Sequence, residues 1–143
     1  MTLLAVGLNH KTAPVDVRER LTFGPDVIVA ALRHATEQAG LSEAVILSTC
    51  NRTEIYCVSN KHSQNDICRW MSQFHNLDPA IVNPSLYFHR DEQAIEHLLS
   101  VSSGLDSLVL GEPQILGQVK SAYQTANDAG TTGKLLDRLF QHT

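Results

Sequence analysis

The sequence predicts an α+β fold: a ferredoxin-like split βαβ sandwich, an antiparallel-containing sheet with helices, followed by C-terminal helices. Three observations carry this. Short apolar runs rich in β-branched and aromatic residues alternate with longer stretches of helical spacing. Their order is β-α-β-β-α-β, the order of a split βαβ sandwich. With 143 residues, 43% of them hydrophobic, the chain is the size of one domain with one core.

The first strand is LLAVGL (3–8), an apolar run that stops at Asn-His-Lys. A helix comes next through VIVAALRHATEQAG, with Asp26 as its expected cap, Val27, Ala30, Ala31 and Ala35 on one face, and Gly40 just past its end. EAVILST (43–49) and EIYCVS (54–59) predict two strands with a short connection that holds Cys50. Residues 64–76 predict a helix carrying Ile67, Trp70, Met71 and Phe74, and SLYFH (85–89) predicts a fourth strand. A helix from 91 to about 103 has Asp91 as its expected cap. Beyond it, a glycine-interrupted loop leads into a helix that Pro113 begins. The end, GKLLDRLFQHT, reads as a helix stopped in mid-pattern without a C-cap, as expected of a fragment of a longer chain.

Composition narrows the function classes. No basic stretch precedes the first apolar run and no cleavage pattern succeeds it, so no secretory signal is expected. No apolar run approaches the roughly 18–20 residues that span a bilayer, and a soluble, cytoplasmic chain without membrane contact is expected. Cys50, Cys57 and Cys68 form an odd set with no Cys-x-x-Cys pair, which fits reduced thiols rather than a disulfide framework or a metal cage. A net charge of −4 argues against nucleic-acid binding by bulk electrostatics, although Lys11, Arg18 and Arg20 offer a local basic patch.

The chemistry centres on ILSTCNRTEIY (46–56), where an apolar run ends at a cysteine. A loop at a strand end is a place where reactive groups are displayed, and a thiolate attacks carbonyl carbon. In extended backbone Arg52 points to the same side as Cys50, so it is expected to set a positive charge beside the sulfur or a bound anion. Taken alone, Cys-x-Arg is weak evidence and fits a structural loop better than a reactive site. His97 falls at the edge of the apolar stripe of its helix, a position that suits a half-buried packing residue or a group facing a cleft. Ser107, Glu112, Gln114 and Gln118 mix with leucines as a ligand wall would, and as a loop-to-helix junction would. Glycines 104, 111 and 117 do not make a dinucleotide fingerprint.

Taken together, GLNHKTAPV (7–15), LSTCNRTEIY (47–56) and HLLSVSSGLDSLVLGEPQILGQVKSAY (97–123) resemble the glutamyl-tRNA reductase family over the whole chain. The resemblance implies that residues 1–143 are the N-terminal catalytic domain, with a core of about 1–105 and a substrate-pocket loop and connecting helices over 106–143. It implies that the NADPH-binding domain and the dimerising helix are absent from this chain. It further implies Cys50 as nucleophile on glutamyl-tRNA, forming a thioester that NADPH reduces to glutamate 1-semialdehyde, the first step of the C5 route to tetrapyrroles. His97 is the implied second catalytic residue, and Thr49, Cys50, Asn51, Arg52, Ser107, Glu112, Pro113, Gln114 and Gln118 are the implied substrate contacts. Arg52 suits the glutamate carboxylate and Glu112 its ammonium. A homodimer is expected of the full-length protein, with glutamate-1-semialdehyde aminomutase as a further partner. The competing readings are a non-catalytic module that binds tRNA or a protein, and a generic cysteine hydrolase.

Overall fold

The computed structural model describes residues 1–104 and 114–143. The elements run β1 (Thr2–Asn9), α1 (Val15–Arg20), α2 (Ile28–Arg33) continuing into a π-helical turn (His34–Gln38), β2 (Glu43–Ser48) and β3 (Arg52–Ser59). Then come α3 (Gln64–Phe74), α4 (Pro79–Val82) with a 3₁₀ turn (Asn83–Ser85), β4 (Tyr87–Arg90), α5 (Glu92–Ser102), α6 (Ile115–Ala129) and α7 (Lys134–Gln141). Among the described residues the four strands form one sheet in the order β2-β3-β1-β4, every neighbouring pair antiparallel. This is the expected ferredoxin-like order.

Register sorts the side chains by face, because directly paired residues point the same way and neighbours along a strand point oppositely. Asn9, Gly7 and Ala5 of β1 face with Arg52, Glu54 and Tyr56 of β3, and with Tyr87 and His89 of β4. Helices α5 and α7 cover this face: His97 of α5 meets Glu54, and Phe140 of α7 packs edge-on against Tyr56 with centroids 5.6 Å apart. The opposite face carries Ser48, whose Oγ accepts from Phe23 N at 2.9 Å, and Phe23 stacks on Trp70 of α3. Both faces are thus buried over the centre of the sheet, where every residue of β3 is buried, whereas Phe88 and Arg90 of edge strand β4 stay exposed.

Edge strand β2 is held by the segment that links α6 to α7. Ala44 N donates to Thr131 O at 2.7 Å, and Thr131 Oγ1 donates back to Ala44 O at 2.9 Å. Glu43 Oε1 accepts from Gly133 N at 2.7 Å and Leu136 N at 2.9 Å, satisfying N–H groups that the first turn of α7 would otherwise leave open. Gly133 permits this approach, since a Cβ there would lie 2.9 Å from Glu43 Cδ.

Several local expectations are corrected. Asp26 does not cap α2; the helix starts from Gly24 O, which accepts from Val27 N and Ile28 N. Asp91 holds the N-cap position of α5, where its carbonyl accepts from Ile95 N at 3.1 Å, but its side chain makes no capping bond. It sits at φ 51°, its N–H donates to Leu3 O at 2.8 Å and its Oδ1 accepts from Leu3 N at 3.2 Å, so it joins β4 to β1 instead. The helix after Gly24 is α-helical only to Arg33 and then widens, and at that turn His34 Nδ1 accepts from Trp70 Nε1 at 3.0 Å. The third strand begins at Arg52 and the fourth at Tyr87, each two residues from its expected start. The expected helix start at Pro113 lies outside the described residues.

Replacing Glu43 with Ala is expected to lower stability by about 2 kcal/mol, the typical cost of losing hydrogen bonds to a charged acceptor. A shift of the urea midpoint at constant slope measures it.

Candidate functional site

The turn between β2 and β3 is made by two residues, Cys50 and Asn51, because Thr49 N donates to Arg52 O at 2.8 Å. Thr49 Oγ1 accepts from Asn51 N and Arg52 N, both at 3.2 Å, so a threonine hydroxyl closes the turn from inside. The turn presents Cys50 to solvent, whereas Cys57 is buried and Cys68 half-buried. Burial pushes the Cys57 thiol up to about 12 and raises that of Cys68, which silences both as nucleophiles. Cys50 is the one exposed thiol of the three.

Arg52 departs from the expected arrangement. Cys50 belongs to the turn rather than the strand, so the alternation that would place both side chains together does not extend to it. The Arg52 side chain is 0% exposed, and its Nη1 lies 3.6 Å from Glu54 Oε2. Glu54, 1% exposed, is the centre of a polar array that sequence reasoning missed. Its Oε1 accepts from Tyr56 OH at 2.7 Å, and its Oε2 accepts from Tyr87 OH and pairs with His97 Nε2. His97 is 11% exposed and its ring stacks on His89, centroids 4.4 Å apart.

Gly7 is what lets this array form. Glu54, Gly7 and Tyr87 lie in one row across three strands. A Cβ on Gly7 would come within 2.5 Å of Thr53 O and 2.7 Å of Glu54 Cγ, so only glycine leaves room for the carboxylate to cross β1. Asn9, next in the row beside Arg52, closes the turn after β1 by accepting from Lys11 N at 2.9 Å and Thr12 N at 3.2 Å.

Burial alone would raise the Glu54 carboxyl, but the hydrogen bond and charge of His97, the charge of Arg52 and the Tyr87 hydroxyl outweigh it and hold the group below the ordinary value of 4.5. A carboxylate so held favours a proton on His97 Nε2, leaving Nδ1 as the free acceptor. The same carboxylate, with burial, raises the Tyr56 phenol well above 10.0, keeping it a donor.

A second feature begins beside the turn. A groove of about 460 Å³ runs between β2, the segment around Phe23 and α6, and Ser48, Gln114 and Gln118 line it. Of the expected catalytic and substrate-contacting residues, Arg52 and His97 therefore meet at Glu54, Thr49, Cys50 and Asn51 form the turn, and Gln114 and Gln118 share the groove. Ser107, Glu112 and Pro113 lie outside the described residues. Glu54 was readable in one respect: a lone carboxylate in mid-strand, with Arg52 and Tyr56 two residues to either side, is rare unless paired.

Known proteins are similar to this chain in sequence and in fold. A family model described as "Glutamyl-tRNAGlu reductase, N-terminal domain" matches residues 6–143. A glutamyl-tRNA reductase of Nitrosococcus oceani is 53% identical over 143 residues, covering 100% of this chain and 34% of that protein. One from Alkalilimnicola ehrlichii is 54% identical over 142 residues, covering 99% of this chain and 32% of that protein. The solved structure of glutamyl-tRNA reductase from Methanopyrus kandleri aligns with a TM-score of 0.79 at 33% identity, covering 97% of this chain and 31% of that one. The chain thus spans about a third of the length of these relatives.

The Glu54 array generates two expected outcomes. Gly7→Ala is expected to cost about 3 kcal/mol by overpacking, read from urea unfolding. Glu54→Gln is expected to cost about 3 kcal/mol at pH 7 by leaving Arg52 buried beside a neutral group. Because the folded carboxyl sits below its ordinary 4.5, its contribution is complete above that value and is lost as pH falls through the lower folded value. The gap between wild type and Glu54→Gln therefore narrows below pH 4.5, and a gap constant from pH 7 to 3 would contradict the assignment.

Proposed function

The chain belongs to the glutamyl-tRNA reductase N-terminal domain family, and on that footing we propose that it forms the acyl-enzyme of a glutamyl-tRNA reductase. The observation that carries the reading is the placement of Cys50, the exposed thiol of the three, at the tip of a two-residue turn whose strand leads directly into the Arg52–Glu54–His97 array. The Cys50 sulfur attacks the ester carbon that joins glutamate to the tRNA. A C–S bond forms, the bond from that carbon to the ribose oxygen breaks, and the thiol proton ends on the departing ribose oxygen.

His97 moves that proton. With Nε2 turned to Glu54, Nδ1 is the position that takes a proton from the thiol and returns it to the leaving group, while the carboxylate fixes the orientation of the ring. Thr49 and Asn51 shape the turn, and Ser107, Glu112, Pro113, Gln114 and Gln118 form the glutamyl site with Arg52. Arg52 is buried and shared with Glu54, so contact with a glutamyl carboxylate requires exposing one edge of its guanidinium. A buried arginine that gains a carboxylate there selects glutamate over glutamine.

NADPH is the reductant that the family implies. Among the described residues the sheet is antiparallel throughout, without the parallel βαβ crevice and glycine turn that cradle a dinucleotide, so the cofactor does not fit these residues. Reduction to glutamate 1-semialdehyde, entry into tetrapyrrole synthesis, dimerisation and any contact with the aminomutase are assigned to the full-length protein and its parts beyond this chain. Among the described residues no helix is long and apolar enough to cross a membrane, and a cytoplasmic location is part of the proposal.

Mixing the chain with glutamyl-tRNA and measuring intact mass is expected to find one glutamyl adduct, mapped to Cys50 and absent from Cys50→Ser. An adduct on another residue, or tRNA binding with no adduct at all, would overturn the nucleophile and favour a binding module.

A further inference from the structure

Edge strand β4 is the shortest strand of the sheet, and its side chains divide sharply between the two faces. Phe88 and Arg90 are exposed on one face, whereas Tyr87 and His89, on the other, both touch the His97 ring. Tyr87 meets that ring edge-on, centroids 5.3 Å apart at 61°, and gives its hydroxyl to Glu54. His89 lies flat against it, centroids 4.4 Å apart and planes 28° from parallel. The inward side of β4 is thus directed at one histidine.

The flat contact supplies what the Glu54 bond lacks. In an imidazole, Nε2 lies near the Cβ–Cγ axis about which the ring turns, and Nδ1 lies off it. The bond between Nε2 and Glu54 therefore anchors the ring without fixing its rotation, and this torsion is intrinsically broad in histidine. A flat neighbour this close does fix it, because turning the ring drives one of its edges into the neighbour's face. His89 thereby sets where Nδ1 points.

The surroundings account for the choice of side chain. His89 is half-buried, and with His97 it lines a surface depression of about 440 Å³ together with Gln93, Glu96 and Ser100. One part of its ring supports His97 while another meets a polar, open surface. Histidine offers a flat face with a polar rim; an aliphatic residue lacks the face and phenylalanine lacks the rim.

We propose that His89 is a positioning residue for acyl transfer to Cys50: its ring, stacked on His97, sets the torsion that aims Nδ1 for the proton transfer. The inference rests on the function proposed above and adds a residue that acts through His97.

The test measures single-turnover acylation of Cys50 by glutamyl-tRNA in wild type, His89→Ala, His89→Phe, His97→Asn and the double variant His89→Ala/His97→Asn. His89→Ala is expected to slow the reaction about tenfold at saturating substrate, with the half-saturating concentration within about twofold of wild type, as for a misaimed catalytic group. His89→Phe restores the flat face and is expected to return the rate to within about threefold of wild type. Adding His89→Ala to His97→Asn is expected to change the rate by less than about twofold, since the two residues act as one unit. If His89→Ala melts well below wild type, His89→Leu takes its place, filling the volume without a flat face. An equal loss in both backgrounds marks a structural effect and overturns the proposal. So does a rate for His89→Ala within about twofold of wild type, or a His89→Phe as slow as His89→Ala. These outcomes leave the acyl transfer standing, whereas a wild-type chain that forms no adduct overturns the acyl transfer and this inference with it.

Discussion

A carboxylate taken out of water has to be matched by donors on every side, and Glu54 sets that requirement on this fold. Desolvation penalises the ionised form, so a 1% exposed carboxylate stays charged only where cations and hydroxyls converge on it. Here they come from three separate elements: Arg52 and Tyr56 from its own strand, Tyr87 from β4, and His97 from α5. The donors on β4 and α5 lie beyond β1, so the side chain has to pass over the strand between them. Gly7 is where it passes. One missing Cβ couples sheet register, helix placement and the orientation of the histidine.

The same requirement explains why the second face of the sheet is covered. A ferredoxin-like sandwich places its helices on one face, here α3 and the segment around Phe23, and would leave Arg52, Glu54 and Tyr56 to solvent on the other. Helices α5 and α7 close that face, and Glu43 binds α7 to the edge strand through its open N–H groups. Closing it lowers the local dielectric around the array and strengthens each of its interactions. The covering helices therefore act on the chemistry as well as on stability.

Beside this rigid array, the turn at 49–52 handles a different problem, presenting a thiol without burying it. Burial removes reactivity from Cys57 and Cys68, and the two-residue turn keeps Cys50 clear of it. A threonine hydroxyl, rather than a glycine, closes the turn, which keeps the presentation stiff. The groove along α6 starts at the base of this turn, so nucleophile, histidine array and groove radiate from the β2–β3 connection.

Local pattern alone determined the order of the strands and longer helices, though not the short α1 and α4, together with the antiparallel sandwich, the position of Cys50 between two strands and the edge placement of His97, because these depend on periodicities of two and 3.6 that neighbouring residues carry. The family was legible in the sequence too, through the resemblance of three long strings rather than through any periodicity. Asp26 and Asp91 looked like side-chain caps because the cap preference is statistical; the first is bypassed by backbone bonds from Gly24 and the side chain of the second is taken up by β1. Only the tertiary structure decided that Arg52 turns inward, that Glu54 gathers four partners, and that Gly7 must be glycine. The physical reason is distance along the chain: Glu54 and His97 are 43 residues apart, and which strands pair to bring them together is fixed by the packing of both faces rather than by any local pattern.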